Sequence, residues 1–316
     1  MRSPAAVASS SESKRAQEGG PGGLLAALRP SRLLSSFLPV ALGGALAIGE
    51  PGPERWPVWG AVALATLFVH AGGLLFAEIA DRRRARANAW QLSRARTRVA
   101  PGGLALAGVA CFGLGAFLGF LGVIERGWPL FWMGVVGILG AIVYSQGPAL
   151  RDRLLGAPLA FFLLGPLPAA AGFLAATGRW QPLAARLALP LGLLAAAAVL
   201  AREIRDVVDD GRAGATTLAG ALRRPLADYV LFALLAAPYL WLLALAVRGV
   251  IAWANLAPWL TLPSAWIVAR LVLAHPEEGS PELEELPERA GRLYVRFGIL
   301  YVLSVILSQI IWQRAA

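Results

Sequence analysis

Apolar runs recur along this chain, and all but the first, which is short, are long enough to cross a hydrocarbon layer of about 30 Å as a helix. Nine can be drawn, over 33–49, 57–78, 100–121, 128–147, 157–178, 183–202, 226–248, 251–273 and 290–312. None alternates in the manner of a lipid-facing barrel strand, so each is read as a helix. Composition agrees: 57% of the 316 residues are hydrophobic and 15% charged, against about 25% charged in a soluble domain. The sequence predicts an all-α membrane protein of about nine transmembrane helices. Its first 28 residues are polar, rich in Gly and Ser, and lack the apolar core of a signal peptide. They read as a disordered cytoplasmic tail ahead of a single polytopic domain, 29–316. Cys111, the one cysteine, lies in an apolar run and excludes an intrachain disulfide.

A net charge of +10 raises the question of nucleic acid. No basic stretch is interleaved with aromatics, however, and sidedness accounts for the charge better, so no nucleic-acid partner is expected. With the amino terminus inside, one inner loop takes Arg82, Arg83, Arg84, Arg86, Arg94, Arg96 and Arg98, and a second takes Arg202, Arg205, Arg212, Arg223 and Arg224. The outer segments keep only Arg55, Arg126, Arg179, Arg186, Arg248 and Arg314, six of 29 basic residues. The positive-inside rule then puts the amino terminus in the cytoplasm and the carboxy terminus outside. A bacterial cytoplasmic membrane is the expected location.

The two inner loops, 79–99 and 203–225, also carry carboxylates among their arginines. In REIRDVVDDGRAGATTLAG, residues 202–220, Asp206 and Asp210 are four apart and share a helix face. Two such carboxylates repel unless a cation lies between them. Mg²⁺ takes oxygen ligands and completes its shell with waters and substrate phosphates; Arg202, Arg205 and Arg212 would neutralise the remaining phosphate charge. The alternative is a solvated interfacial turn with local Asp–Arg pairs. The earlier segment LFVHAGGLLFAEIADRRRARAN sets His70, Ala77 and Asp81 on one helix face, with Glu78 beside Asp81. Ionisable groups at a membrane span usually face a polar cavity, so a second acidic cluster on the same side fits a two-metal diphosphate site. Against that, Arg82–Arg84 serve equally as topological anchors, and His70 as a hydrogen-bonded interior residue. The acidic stretch PEEGSPELEELPE, 276–288, reads as a solvated loop before the last span, or as a cover for a cavity mouth.

Residues 205–219 closely resemble the second Asp-rich motif of the UbiA superfamily of intramembrane prenyltransferases, through Arg205, Asp206, Asp210, Gly214, Thr217, Leu218 and Ala219. RPSRLLSSFLPVALGGALA from Arg29, VYSQGPALRDRLLGAPLAFFLLGPLPAAAGF around Tyr144, and LPERAGRLYVRFGIL near the end are similar to the branch that prenylates 1,4-dihydroxy-2-naphthoate in menaquinone synthesis. The resemblance implies nine helices bundled around a central cavity and Mg²⁺ as cofactor. Glu78, Asp81, Asp206 and Asp210 would hold the metal, and Asp81, Asp206 and Asp210 would carry catalysis. Arg82, Arg205 and Arg212 would contact the diphosphate, while His70 and Tyr144 would face the acceptor or the developing cation. The implied partners are a prenyl diphosphate, an aromatic small-molecule acceptor and the lipid bilayer. The first motif departs from the family pattern at Leu74, Ala77, Glu78 and Ala85, and a lysine expected shortly before Thr-Leu-Ala is Ala215. Arg202 and Glu203 stand where the family has asparagines.

Three functions follow. The first is Mg²⁺-dependent transfer of an isoprenyl chain to an aromatic acceptor. The second is cyclisation of the same prenyl diphosphate without an acceptor. The third is non-catalytic binding of a prenyl lipid or quinone at a degenerate site.

Overall fold

Prolines mark where the helices begin. In the computed structural model, which describes residues 21–28, 30–50, 56–87, 99–145, 153–212, 214–275 and 280–315, the first helical residue is proline six times: Pro21, Pro30, Pro101, Pro166, Pro182 and Pro281. At that position the missing N–H costs nothing and the fixed φ is already helical. The elements are α1 (Pro21–Leu28), α2 (Pro30–Leu46), α3 (Trp56–Ala87), α4 (Pro101–Arg126), α5 (Trp128–Ser145), α6 (Gly156–Leu163) and α7 (Pro166–Thr177). There follow α8 (Pro182–Leu187), α9 (Leu189–Arg212), α10 (Leu218–Leu222) and α11 (Leu226–Val247), then a 3-10 helix (Trp253–Thr261) that runs into α12 (Leu262–Leu273), and α13 (Pro281–Ala315). Among the described residues there is no strand.

Seven of these segments are long and apolar enough to cross a membrane by themselves. The short apolar α2 and the α8–α9 passage, whose charges gather at residues 202–212, complete about nine passages. The chain is therefore an all-helical integral membrane protein, as the sequence predicts. Four boundaries differ. Residues 21–28 are not a tail: PGGLLAAL forms α1, and its Ala27 is buried with Leu75, Ile79 and Leu104. Residues 1–20 lie outside the described residues, as do Arg55, Arg94, Arg96 and Arg98 of the charge count. The run 157–178 is two helices, broken at Gly165, where a Cβ would come within 2.5 Å of the Gly192 backbone. The run 251–273 opens as a 3-10 helix. The last helix begins nine residues earlier than drawn, so most of the acidic stretch is helix rather than loop. Glu282 and Glu284 in its first turn suit the helix dipole, and the pairs Glu285–Arg289 and Glu288–Arg292 hold the following turn.

Small residues set the helix spacing. A Cβ on Gly43 would lie 2.1 Å from the Ala169 carbonyl, and one on Gly172 would lie 2.5 Å from the Val40 carbonyl. α2 and α7 therefore touch backbone to backbone, the close approach that small residues permit in lipid. The main core joins α2, α9, α11, α12 and α13 through Leu42, Leu200, Leu231, Val268, Phe297 and Tyr301. The buried Tyr294 hydroxyl meets the carbonyls of Ser35 and Leu164 at 2.7 and 3.0 Å, and Tyr301 donates to Leu187 O at 3.0 Å. On the other flank α4 and α5 expose Leu106, Phe117, Trp132 and Leu139, a surface suited to hydrocarbon.

Candidate active site

Between the core and the α3–α7 flank lies a cavity of about 1230 Å³. That is large even for a ligand pocket. Its deeper wall is apolar and aromatic, with Val62, Ala65, Phe120, Phe131, Ile138 and Leu167. Its hydroxyl side chains mostly satisfy their own helices: Ser35 and Ser36 donate to Arg32 O and Leu33 O, and Thr66 donates to Val62 O. Two cavity-lining groups are different. The Nε2 of His70 and the Nε of Arg202 are buried and find no hydrogen-bond partner among the described residues. A guanidinium nitrogen in that condition is costly to bury without an anion.

One end of the cavity is rich in arginine. Arg202 and Arg205 reach it from α9, Arg32 from α2, and Arg292 and Arg296 from α13, with Glu284 and Glu288 beside them. α9 continues unbroken to Arg212, so Asp206 and Asp210 stand one turn apart, as their spacing predicts. Asp206 is held bidentately by its neighbour: Arg205 donates from Nε to Oδ1 and from a terminal nitrogen to Oδ2, both at 2.7 Å. Burial works against the charge on Arg205, yet the carboxylates of Asp206, Glu284 and Asp210 outweigh it and hold its pKa above the usual value. Asp209 pairs with the exposed Arg212 at 3.7 Å.

Just beyond the predicted span, Glu203 turns away from the cavity and accepts the Ala219 N–H at 3.1 Å. With Thr217, whose hydroxyl accepts from Gly220 N, it caps α10 and pins the Thr-Leu-Ala segment to α9. Burial pushes its carboxyl up to about 7, helped by the charge of Asp210 and resisted by the Ala219 N–H and Arg202.

The first acidic motif is arranged differently. Leu74 and Ala77 line the cavity with His70, so that face of α3 is the functional one. Glu78 is buried on another face beside Leu75 and Ile79, where Arg82 donates to its carboxylate at 3.2 Å and to Val99 O at 2.6 Å. That pair ties α3 to the start of α4. Asp81 is exposed and, like Glu78, does not line the cavity. The structure thus brings His70, Tyr144 and Arg205 to the cavity wall, with Asp206 attached through Arg205. It does not bring Glu78, Asp81, Arg82, Asp210 or Arg212 to that wall. Among the described residues no three His, Cys, Asp or Glu side chains converge as a metal cage. The Asp206–Asp210 pair still offers the oxygen donors Mg²⁺ prefers, and an ion that takes most of its shell from water and phosphate needs no cage. Sequence reasoning offered 276–288 as a solvated loop or a cover for the cavity mouth, and did not draw it as a helix that lines the wall; the spacing of Glu284, Glu288 and Gly291, one helix face, was the signal.

The site and fold can be placed among known proteins. A family model described as the UbiA prenyltransferase family matches residues 36–283. The UbiA prenyltransferase domain-containing protein 1 of Danio rerio is 30% identical over 292 residues, covering 89% of this chain and 83% of its own. The 1,4-dihydroxy-2-naphthoate octaprenyltransferase of Bacillus subtilis is 25% identical over 237 residues, covering 73% of this chain and 74% of its own. A UbiA homolog from Archaeoglobus fulgidus, solved bound to GPP and Mg²⁺, superposes with a TM-score of 0.58 at 17% identity over 90% of this chain and 99% of that one.

Proposed function

The chain belongs to the UbiA prenyltransferase family and is an enzyme that transfers prenyl groups; from that premise we propose that it moves an isoprenyl chain from a prenyl diphosphate to an aromatic acceptor of the 1,4-dihydroxy-2-naphthoate type, with Mg²⁺. The observation that carries this reading is a large, mostly apolar cavity that ends in a cluster of arginines beside the Asp206–Asp210 pair. A prenyl diphosphate has the same polarity: a greasy chain and a dense anionic head. The naphthoate prenyltransferase of Bacillus subtilis supports the acceptor, and the Archaeoglobus fulgidus homolog bound to GPP and Mg²⁺ supports the diphosphate and the metal.

In this mechanism the diphosphate lies against Arg202 and Arg205, whose guanidinium groups bind phosphate oxygens bidentately. The buried Nε of Arg202 then gains the anion it lacks. Asp206 and Asp210, with Asp81 near the end of α3, would hold Mg²⁺, which would supply charge stabilisation to the leaving diphosphate. Arg82 and Arg212 stand behind this contact, through their pairs with Glu78 and Asp209. As the allylic C–O bond breaks, the cation sits in the apolar part of the cavity, shielded from water and faced by Phe120, Phe131 and Tyr144. His70 and Tyr144 orient the electron-rich ring that attacks it. With a naphthoate acceptor, the carboxyl group leaves as CO₂ and its bonding pair restores the ring.

The test uses purified protein in nanodiscs with geranylgeranyl diphosphate, with and without dihydroxynaphthoate, in Mg²⁺ or EDTA, read by mass spectrometry. A prenylated naphthol formed only with Mg²⁺ is expected. A hydrocarbon or terpene alcohol formed equally well without acceptor would overturn the transferase reading in favour of a cyclase.

A further inference from the structure

The acidic start of α13 is not absorbed by the reaction as described. Its buried edge, Leu283, Leu286 and Ala290, packs in the same core as Leu200 and Ile204 of α9. That packing brings Glu284 and Arg205, one from each helix, to the same wall of the cavity, with Pro287, Glu288 and Gly291 continuing along it. Glu284 is near enough that its charge raises the pKa of Arg205, as Asp206 does. Arg205 therefore feels three carboxylates, two on its own helix and Glu284 on the facing one. Here it is committed to Asp206, both of whose oxygens it occupies at 2.7 Å.

That commitment conflicts with the proposed reaction. A carboxylate holding a guanidinium through both oxygens is poorly placed to ligate a cation as well. The diphosphate takes part of the guanidinium when Asp206 turns to a metal, and a carboxylate on the same wall can hold the rest in place. We infer that Glu284 is a positioning residue for prenyl transfer: it receives Arg205 across the cavity mouth, freeing Asp206 for the cation while keeping the guanidinium beside the diphosphate. The inference rests on the functional reading above. It also gives a role to the charged first turns of the last helix, which an apolar span does not need.

The experiment measures metal binding rather than turnover. Full-length protein in nanodiscs is titrated with Mn²⁺, followed by electron paramagnetic resonance, in the presence of geranyl S-thiolodiphosphate, whose sulfur link resists cleavage. Wild type is expected to bind Mn²⁺ only with the analogue present. Glu284→Gln should weaken that binding about fivefold or more, the scale of coupling between neighbouring charges. Glu284→Asp should restore most of it, and Glu282→Gln, on the exposed start of the helix, should leave it unchanged. In an Arg205→Lys background the effect of Glu284→Gln should largely vanish. Wild-type affinity in a folded Glu284→Gln protein would overturn the inference, as would an undiminished effect in the Arg205→Lys background. Should Glu284→Gln fail to fold, Glu284→Asp carries the test, and a loss as large as removal of Arg205 would count against the proposed hand-over. Absence of Mn²⁺ binding by wild type with the analogue would sink the functional reading itself, and the inference with it.

Discussion

Glu203 illustrates how one residue can leave a reactive role and take a structural one. The resemblance sets it against an asparagine, and in the structure its carboxylate caps α10 instead of facing the cavity. Its pKa, raised to about 7 by burial, makes stability depend on pH. The folded state holds the proton more tightly than the unfolded chain, whose value is 4.5. The stabilisation is therefore complete below that value and lost as pH rises through about 7. Glu203→Gln keeps an acceptor for Ala219 N–H and removes the ionisation. Its unfolding temperature should match wild type near pH 4 and exceed it by several degrees at pH 8; a gap independent of pH would mean that folding does not shift the Glu203 carboxyl. The neighbouring aspartates separate by turnover. Asp206→Ala or Asp210→Ala should lower product formation about a hundredfold or more, because each removes charge stabilisation worth several kcal/mol. Asp209→Ala, which loses only a pairing with an exposed arginine, should cost less than about threefold. Equal small losses at all three positions would reduce the motif to a solvated turn.

At the level of whole elements, the α2–α7 contact is the least forgiving. Gly172→Val would drive a side chain into the Val40 carbonyl and should destabilise by about 1–3 kcal/mol, the usual cost of overpacking. Gly113→Ala, where nothing lies within 4 Å, is the matched control, and thermal unfolding in detergent compares the two. Equal unfolding temperatures would refute the backbone contact. Such contacts were barely legible beforehand, because a glycine inside an apolar run looks the same whether it faces lipid or another backbone. The spans themselves were legible: the length and uniform apolarity of a run decide them locally. What escaped was decided by partners. The break falls at Gly165, where Pro166 restarts the helix and only a glycine fits against Gly192, and Glu–Arg pairs four residues apart support the helical start of α13. The second acidic motif was readable because one continuous helix carries it. For the first, face arithmetic placed His70 and Ala77 correctly on the cavity wall. It had no means of showing that Arg82 would hold Glu78 against Val99.

For the molecule as a whole, the arrangement of charge makes a claim that no single helix does. The arginine end of the cavity gathers Arg32, Arg202, Arg205, Arg292 and Arg296 from three helices, and Arg32, Arg202 and Arg205 stand at span ends that the positive-inside rule assigns to the cytoplasm. A prenyl diphosphate carries an anionic head that cannot cross lipid, so a site loaded from the cytoplasm must open there. Function and topology thus make the same demand. The number of passages is about nine, and an odd number separates the termini. A tag at residue 10 should accordingly be protected in right-side-out vesicles, and one after residue 316 should be accessible, by protease or thiol labelling. Both termini on one side would mean an even number of passages. One inner loop would then move to the far face, and α9 and α13 could no longer present their arginines to a common diphosphate from the cytoplasm.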